Sequence, residues 1–332
     1  FSMRAMYVKD GIHSRKTYMT VNIKDALAEK EADSKPIAGA TAAVTVSVEE
    51  TAARKGKVER ATELGISVAH EINKGMVYLV GAGPGDISLL TLKAMMCIKQ
   101  ADVIIYDRLV NPKILEWALP DCLLINVGKN PGFHCVPQDE INALLVQYAQ
   151  THHNIVRLKG GDPYVFGRGA EEVEDLVEMG IPFEVVPGIS STIGGLTYAG
   201  IPVTHRDFAS GFHVVTGHTR EGNQQQDWRQ LAKLNGTLVI VMGIANLAFI
   251  CEELLMGGKS ADTPAALIMS ATRENQRRLT CTLGSLLSKA QEANIVPPAL
   301  IVIGDVVTLS DRLSFIPEAI TLPDNLYCES LA

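Results

Sequence analysis

From residue 76 onward, short apolar segments rich in β-branched residues alternate with segments of helix length. The apolar segments mostly end at Gly or Asp and cover residues 76–83, 101–107, 123–128, 154–162 and 183–188. The helix-length segments between them cover residues 89–100, 138–152 and 170–179. Continuously apolar strands that alternate with helices are typical of a parallel sheet covered on both faces. The pattern therefore predicts the α/β class.

A turn-rich stretch at residues 199–207 interrupts the alternation, which then resumes. Further strands are predicted at 212–218, 237–243, 265–270, 277–283 and 299–307, with helices near 228–234 and 247–255. We therefore expect two α/β domains, at 76–205 and 206–316, with the active site in the cleft between them. Residues 1–75 form an N-terminal extension with no assigned function, and residues 317–332 form a tail.

The charge balance and the apolar segments narrow the classes of partner. The 332 residues include 30 Lys and Arg against 37 Asp and Glu, a net charge of −7, which argues against a broad nucleic-acid surface. No apolar run approaches the roughly 18 to 20 residues that span a bilayer. No paired Cys/His spacing or H-E-x-x-H motif indicates a metal. We expect a soluble cytoplasmic protein without a metal, a nucleic-acid partner or a membrane partner.

The first glycine loop, GAGPGD at residues 81–86, follows the first predicted strand. A dinucleotide-binding loop would read G-x-G-x-x-G, but Asp86 occupies its sixth position. A carboxylate there repels a pyrophosphate, so the loop suits a neutral or cationic ligand better. A tight strand-to-helix turn without a ligand is the open alternative.

The second glycine loop lies in RLKGGDPYVFGRGAEE, residues 157–172. Gly160 and Gly161 allow a ligand to lie against bare backbone, and Asp162 offers an acceptor. We expect the cations Arg157, Lys159 and Arg168 to line the same rim. This combination of residues indicates a ligand-binding loop.

The third segment, residues 185–207, contains Ser190 and Ser191 at a strand-to-helix junction. Their hydroxyls suit either helix capping or contact with a ligand. His205 and Arg206 are candidates for an anionic substrate, and a structural role for each remains open.

Several motifs occur in one order: LVGAGPGD, YDRLV, VRLKGGDP with FGRG, VVPGI, AGIPVTHRD, VTGH and PPALIVIGDVV. In this respect residues 76–315 resemble the tetrapyrrole methylases, and most of all the branch that acts on uroporphyrinogen III. The resemblance implies two α/β domains that hold S-adenosylmethionine, usually in a homodimer. It also implies methylation of uroporphyrinogen III at two ring carbons, which gives precorrin-2 by way of precorrin-1 for sirohaem or cobalamin synthesis.

The resemblance also implies which residues form the site. For the methyl donor they are Pro84, Gly160, Gly161, Asp162, Val165, Ser190, Ser191, Met242 and Ala271. A sulfonium cation suits carbonyl and carboxylate neighbours, which agrees with these loops. The candidates for the substrate's carboxylates are Arg108, Lys129, His134, Arg168, His205 and Arg206.

The acid–base residues that the resemblance implies are Asp107, in YDRLV, and Lys129, in VGKN. A cap of the helix expected near Pro112 is the alternative role for Asp107. Lys129 is followed by Asn130, where the family usually has Arg, so one cation of the family pattern is missing.

Other functions remain open at this stage. A nicotinamide dehydrogenase would need the sixth glycine of the first loop, and a tetrapyrrole carrier would not need the second glycine loop. A methylase of a later corrin intermediate or of diphthamide precursor is the nearest rival of the same fold. Residues 1–75 contain no G-x-G-x-x-G and are too few for a nucleotide domain plus a dimerisation region. We therefore expect a methyltransferase that stops at precorrin-2.

Overall fold

The computed structural model describes residues 74–128, 136–218 and 226–315. The first of its two five-stranded sheets has the order β3-β2-β4-β1-β5, and every neighbouring pair is parallel. Its strands are β1 (Met76–Gly81), β2 (Val103–Tyr106), β3 (Leu123–Asn126), β4 (Asn154–Lys159) and β5 (Phe183–Val186). The accompanying helices are α1 (Leu92–Lys99), α2 (Gln138–Ala149) and α3 (Gly169–Glu178).

Both faces of this sheet are buried, as the continuously apolar strands predict. Val80 and Ile104 belong to the core on one face, and Leu79 and Ile105 belong to the core on the other. Successive side chains of a strand point to opposite faces, so each strand needs apolar residues at nearly every position. Because all five strands run parallel, their carboxyl ends lie along one edge of the sheet.

The second sheet has the order β6-β7-β10-β8-β9. Its strands are β6 (Phe212–Thr216), β7 (Thr237–Val241), β8 (Pro264–Met269), β9 (Arg277–Thr282) and β10 (Ala299–Ile303). Its helices are α5 (Trp228–Leu231), α6 (Leu247–Met256) and α7 (Leu286–Glu292). The α/β class predicted for both halves is confirmed.

The second sheet is mixed, unlike the first. Only β6 and β7 run parallel, whereas β7–β10, β10–β8 and β8–β9 are antiparallel pairs. The connection from β8 to β9 covers only residues 270–276, which is too short for the crossover that a parallel pair requires.

Helix α4 (Ser191–Tyr198) follows the last strand of the first sheet but packs on the second sheet. Leu196 shares a buried cluster with Val239, Ile268 and Leu300. The helix approaches closely because a Cβ placed on Gly195 would lie 2.8 Å from Cδ1 of Leu300. The chain thus passes from one sheet to the other through α4, and the domain boundary at 205/206 stays a prediction.

Within the described residues, no helix combines the length and the apolarity needed to cross a membrane. The same part of the chain contains no group of three His, Cys, Asp or Glu side chains arranged to hold a metal ion.

Candidate active site

The two glycine loops meet at the carboxyl edge of the first sheet. The Gly161 N–H donates to the Gly83 carbonyl at 2.8 Å, and the Gly83 N–H donates to the Gly161 carbonyl at 3.2 Å. These bonds form an isolated antiparallel bridge beyond the ends of the parallel strands β1 and β4. The two motifs found separately in the sequence therefore form one continuous surface.

The loop after β5 joins the same surface at a point where the backbones nearly touch. A Cβ placed on Gly188 would lie only 2.2 Å from the Gly161 carbonyl oxygen, so no larger residue fits there. Asp162 fixes this junction, since its Oδ2 accepts from the Gly188 N–H at 3.1 Å. Its Oδ1 accepts from the Tyr164 N–H at 2.9 Å. Both carboxylate oxygens of Asp162 thus hold backbone N–H groups of the two loops in place.

The space above Gly161 is open. A Cβ placed there would come no closer than 3.9 Å to Cα of Ser190 and the backbone nitrogen of Ser191. Gly161 also has a φ of +70°, a left-handed conformation that favours glycine. Ser190 caps α4, because its Oγ accepts from the Thr192 N–H at 3.3 Å. A ligand can therefore lie against the Gly161 backbone, as a methyl donor at this site would require.

Left-handed backbone at residues other than glycine recurs around these loops. The residues are Phe166, Arg168, Met242, Ser270 and Thr272, with φ between 50° and 64°. Each such residue costs on the order of 1 kcal/mol or more, and strained positions tend to cluster at functional sites. Met242 is 52% exposed at the end of β7, and Val165 is 40% exposed, so neither is a core residue.

The loop after β8 brings the second sheet to the first glycine loop. A Cβ on Gly85 would lie 3.2 Å from the Ala271 carbonyl oxygen and 3.0 Å from Oγ1 of Thr272. Pro84 lies on the α4 side, 3.0 Å by its Cγ from a Cβ placed on Gly194. The structure thus brings Pro84 and Ala271, which are distant in sequence, to neighbouring loops.

Asp107 follows β2 and is 31% exposed, with its Oδ1 accepting from Nη2 of Arg157 at 2.6 Å. It does not cap the following helix, because Asn111 does so through the Lys113 N–H. The expectation that Arg157 and Lys159 line an open rim was wrong, since they are 2% and 3% exposed. Both point to the buried face of β4, where they pair with Glu172.

The residues proposed to bind the substrate's carboxylates differ in their exposure and in their partners. Arg108 is exposed beside Asp107, and Arg168 is exposed and paired with Glu171 at the start of α3. His205 lies in a turn that ends at Ala209, where its ring contacts Phe208 edge-on and its Nδ1 is 3.9 Å from Asp207. Arg206 is exposed in that turn. Lys129 and His134, with Asn130, lie outside the described residues.

One cation near the first glycine loop, Arg273, belongs to none of the motifs found in the sequence. Arg273 donates from Nη2 to the Leu109 carbonyl at 2.5 Å and packs over Gly85, although 164 positions separate it from Leu109. Burial lowers the pKa of Arg273, and the positive charge of Arg108 lowers it further. Arg273 thus brings a second cation from the other sheet to the segment that contains Asp107 and Arg108.

Comparison with known proteins agrees with this geometry. Residues 76–287 match the family model of the tetrapyrrole (corrin/porphyrin) methylases. The chain belongs to the tetrapyrrole methylase family.

The curated relatives that the chain matches include proteins called siroheme synthase. The protein of Thiobacillus denitrificans is 48% identical over 249 residues, which cover 75% of this chain and 52% of the relative. Siroheme synthase 2 of Aeromonas hydrophila is 52% identical over 244 residues, which cover 74% of this chain and 52% of the relative. This tetrapyrrole methylase therefore spans about half the length of the curated relatives it matches.

Among solved structures, the chain is similar to uroporphyrin-III C-methyl transferase from Thermus thermophilus, in complex with S-adenyl homocysteine. The identity is 42% and the TM-score is 0.62, over 71% of this chain and 100% of the other. This likeness supports the family resemblance found in the motifs, and the two-domain α/β class agrees with it.

Proposed function

We propose that this tetrapyrrole methylase transfers methyl groups from S-adenosylmethionine to two ring carbons of uroporphyrinogen III. The product is precorrin-2, formed by way of precorrin-1, and it feeds sirohaem or cobalamin synthesis. The observation that carries the proposal is the surface formed by the bonded glycine loops, with open space above Gly161 and the Asp107 carboxylate at the same edge of the sheet.

The donor would lie over Gly160 and Gly161, with Pro84, Ala271 and Met242 as further proposed contacts. S-adenosylmethionine supplies an activated methyl group on a sulfonium cation. Backbone carbonyls of the glycine loops suit that charge, and the exposed side chains of Val165 and Met242 offer apolar contact. Ser190 and Ser191 complete the proposed donor site, and Asp162 holds its loops together.

The protein's main task in methyl transfer is alignment, because a pyrrole carbon is itself the nucleophile. Methylation leaves a positive charge on the macrocycle, so a base must then accept a proton from another position of the ring system before conjugation is regained. Asp107 is the proposed acceptor, since its carboxylate is partly exposed at a strand end. Lys129 is proposed as its acid–base partner from the family pattern alone.

The substrate's carboxylates require cations on a protein with a net charge of −7. Arg108 and Arg273 are the proposed nearest contacts, because Arg108 follows Asp107, Arg273 bonds to the Leu109 carbonyl, and neither has a carboxylate partner among the described residues. Arg168 is the next candidate, although it would exchange its pairing with Glu171. His134, His205 and Arg206 remain proposals from motif position.

The proposal extends to the state of the protein: a cytoplasmic homodimer that uses no metal, nucleic acid or membrane partner. It is tested by anaerobic incubation with uroporphyrinogen III and S-adenosylmethionine labelled in the methyl group. Label that moves into the tetrapyrrole supports methylation. Retention of the tetrapyrrole without binding of the donor or transfer of label would instead support the tetrapyrrole carrier.

A further inference from the structure

A buried group of charges lies beneath Asp107, in the middle of the first sheet. Arg157 is 2% exposed on β4, which lies between β1 and β2. Lys159 lies two residues along the same face, and Glu172 of α3 is fully buried against both. Apolar residues usually stabilise such a position at least as well as an ion pair. Stability alone therefore does not explain these charges.

Glu172 is the centre of this buried group. Its Oε1 accepts from Nζ of Lys159 at 2.7 Å, from Nε of Arg157 at 3.2 Å and from Nε2 of Gln138 at 3.0 Å. Its Oε2 has no hydrogen-bond partner among the described residues. Three donors on one oxygen fix the carboxylate and, through it, the edge of the Arg157 guanidinium.

The other side of the guanidinium holds Asp107. Nη2 of Arg157 donates to Oδ1 of Asp107 at 2.6 Å, while Nη1 is 3.4 Å from the carbonyl oxygens of Ile105 and Leu158. Burial opposes the charge of Arg157, but Asp107 and Glu172 outweigh it and raise the pKa of the guanidinium. Burial lowers the pKa of Lys159, and the charge of Arg157 lowers it further.

Asp107 is the one member of this set that reaches solvent, since the other three are almost fully buried. We propose that Glu172 and Arg157 are positioning residues, which hold the Asp107 carboxylate in the orientation that proton transfer requires. The inference rests on the proposed function, in which Asp107 accepts the proton. The planar guanidinium bridges two carboxylates at once, and a lysine ammonium at position 157 could not reproduce that fork.

The first test is a double-mutant cycle with Arg157→Lys and Asp107→Asn. A misplaced catalytic group costs roughly a hundred-fold, so Arg157→Lys should lower kcat by about that factor with KM for the donor unchanged. In the Asp107→Asn background the same substitution should have little further effect, because residues that act as a unit are not additive. Multiplicative losses in the double variant would overturn the inference.

A second, charge-balanced variant covers the case in which Arg157→Lys does not fold. Glu172→Gln with Lys159→Met removes one anion and one cation and leaves the Arg157–Asp107 pair in place. We expect a lower kcat with donor affinity retained in calorimetry. A variant that is less stable but keeps its kcat would show a merely structural role and overturn the inference.

A matched control removes a surface pair that joins α1 to β5 of the same sheet: Lys93→Met with Glu184→Gln. This pair contacts no member of the buried group, so kcat should not change. If the parent protein methylates its substrate and the Glu172→Gln, Lys159→Met variant keeps the same kcat, the positioning role is rejected and the proposed function stands. Failure of the parent to methylate uroporphyrinogen III would reject the proposed function itself.

Discussion

The hydroxyl of Tyr198 donates to Oδ2 of Asp86 at 2.9 Å, which joins the end of α4 to the first glycine loop. The contact is part of a closed set of hydrogen bonds among Asp86, Thr272, Gln276 and Tyr198. The Asp86 N–H donates to Oγ1 of Thr272 at 3.0 Å, and the Thr272 N–H donates to Oε1 of Gln276 at 2.6 Å. Nε2 of Gln276 returns to the Tyr198 carbonyl at 3.0 Å. Loops from both sheets are thereby fixed around the proposed donor site.

Replacing Tyr198 with Phe removes one bond of this set, the hydrogen bond from the Tyr198 hydroxyl to Asp86. A hydrogen bond to a charged group contributes about 1.5 to 3 kcal/mol, and partial exposure of Asp86 places the expected loss at the lower end. Urea unfolding of Tyr198→Phe should therefore show a free energy of unfolding lower by about 1 to 2 kcal/mol. Tyr164→Phe, at an exposed side chain, is the control. Equal stability of the two variants would contradict a role for the Asp86 contact.

Asp86 should make folding sensitive to acid. Burial would raise the pKa of its carboxyl, but the hydrogen bonds from Ser88 and Tyr198 outweigh burial and lower that pKa below the ordinary value of 3.8. A lowered pKa in the folded state stabilises the protein above 3.8, and this contribution is lost as the pH falls through the folded value. The stability difference between the parent and Asp86→Asn should therefore shrink on acidification below about pH 4. A difference that grows there would contradict this sign.

Gly161→Ala should abolish donor binding. The added Cβ enters the open space, while the left-handed φ of +70° adds strain of about 1 to 2 kcal/mol. Gly258→Ala is the matched control, because Gly258 also has a left-handed φ, +94°, and nothing lies within 4 Å of a Cβ there. Calorimetry with S-adenosylmethionine should show binding in the control alone. Normal binding by Gly161→Ala would place the donor elsewhere.

Asp107→Asn should keep donor affinity and lose turnover. It removes the proposed proton acceptor with little change in volume, and general acid–base catalysis typically contributes about a hundred- to ten-thousand-fold. Asp121→Asn is the control, since Asp121 is exposed before β3, at the opposite edge of the sheet from Asp107. Steady-state kinetics that place Asp107→Asn within a few-fold of the control would remove Asp107 from the mechanism.

The strands of both sheets were predictable because each carries its apolar pattern locally. The runs at 76–83 and 154–162 contain β1 and β4, and the glycine loops follow from what ends those runs. Strand direction in the second sheet was not predictable in this way. The short 270–276 connection excludes only a parallel β8–β9 pair, and the apolar runs carry no signal for which strands of this sheet become neighbours.

The site was predictable only in part. Arg157 and Lys159 were placed on the rim by their charge, although the strand period puts both on the buried face with Leu79 and Ile105. Their partner Glu172 lies in the same motif, so an ion pair could have been proposed. The Tyr198–Asp86 and Arg273–Leu109 contacts link residues more than 100 positions apart, and no local pattern carries them.

The most direct measurement is the mass of the tetrapyrrole formed from uroporphyrinogen III and S-adenosylmethionine that carries a deuterated methyl group. The account predicts a final product with two labelled methyl groups on ring carbons, formed through a singly methylated intermediate, with the absorbance of precorrin-2. Two results would contradict it. One is a tetrapyrrole that stays unlabelled after incubation with folded protein that binds the donor, and the other is label that never exceeds one methyl group.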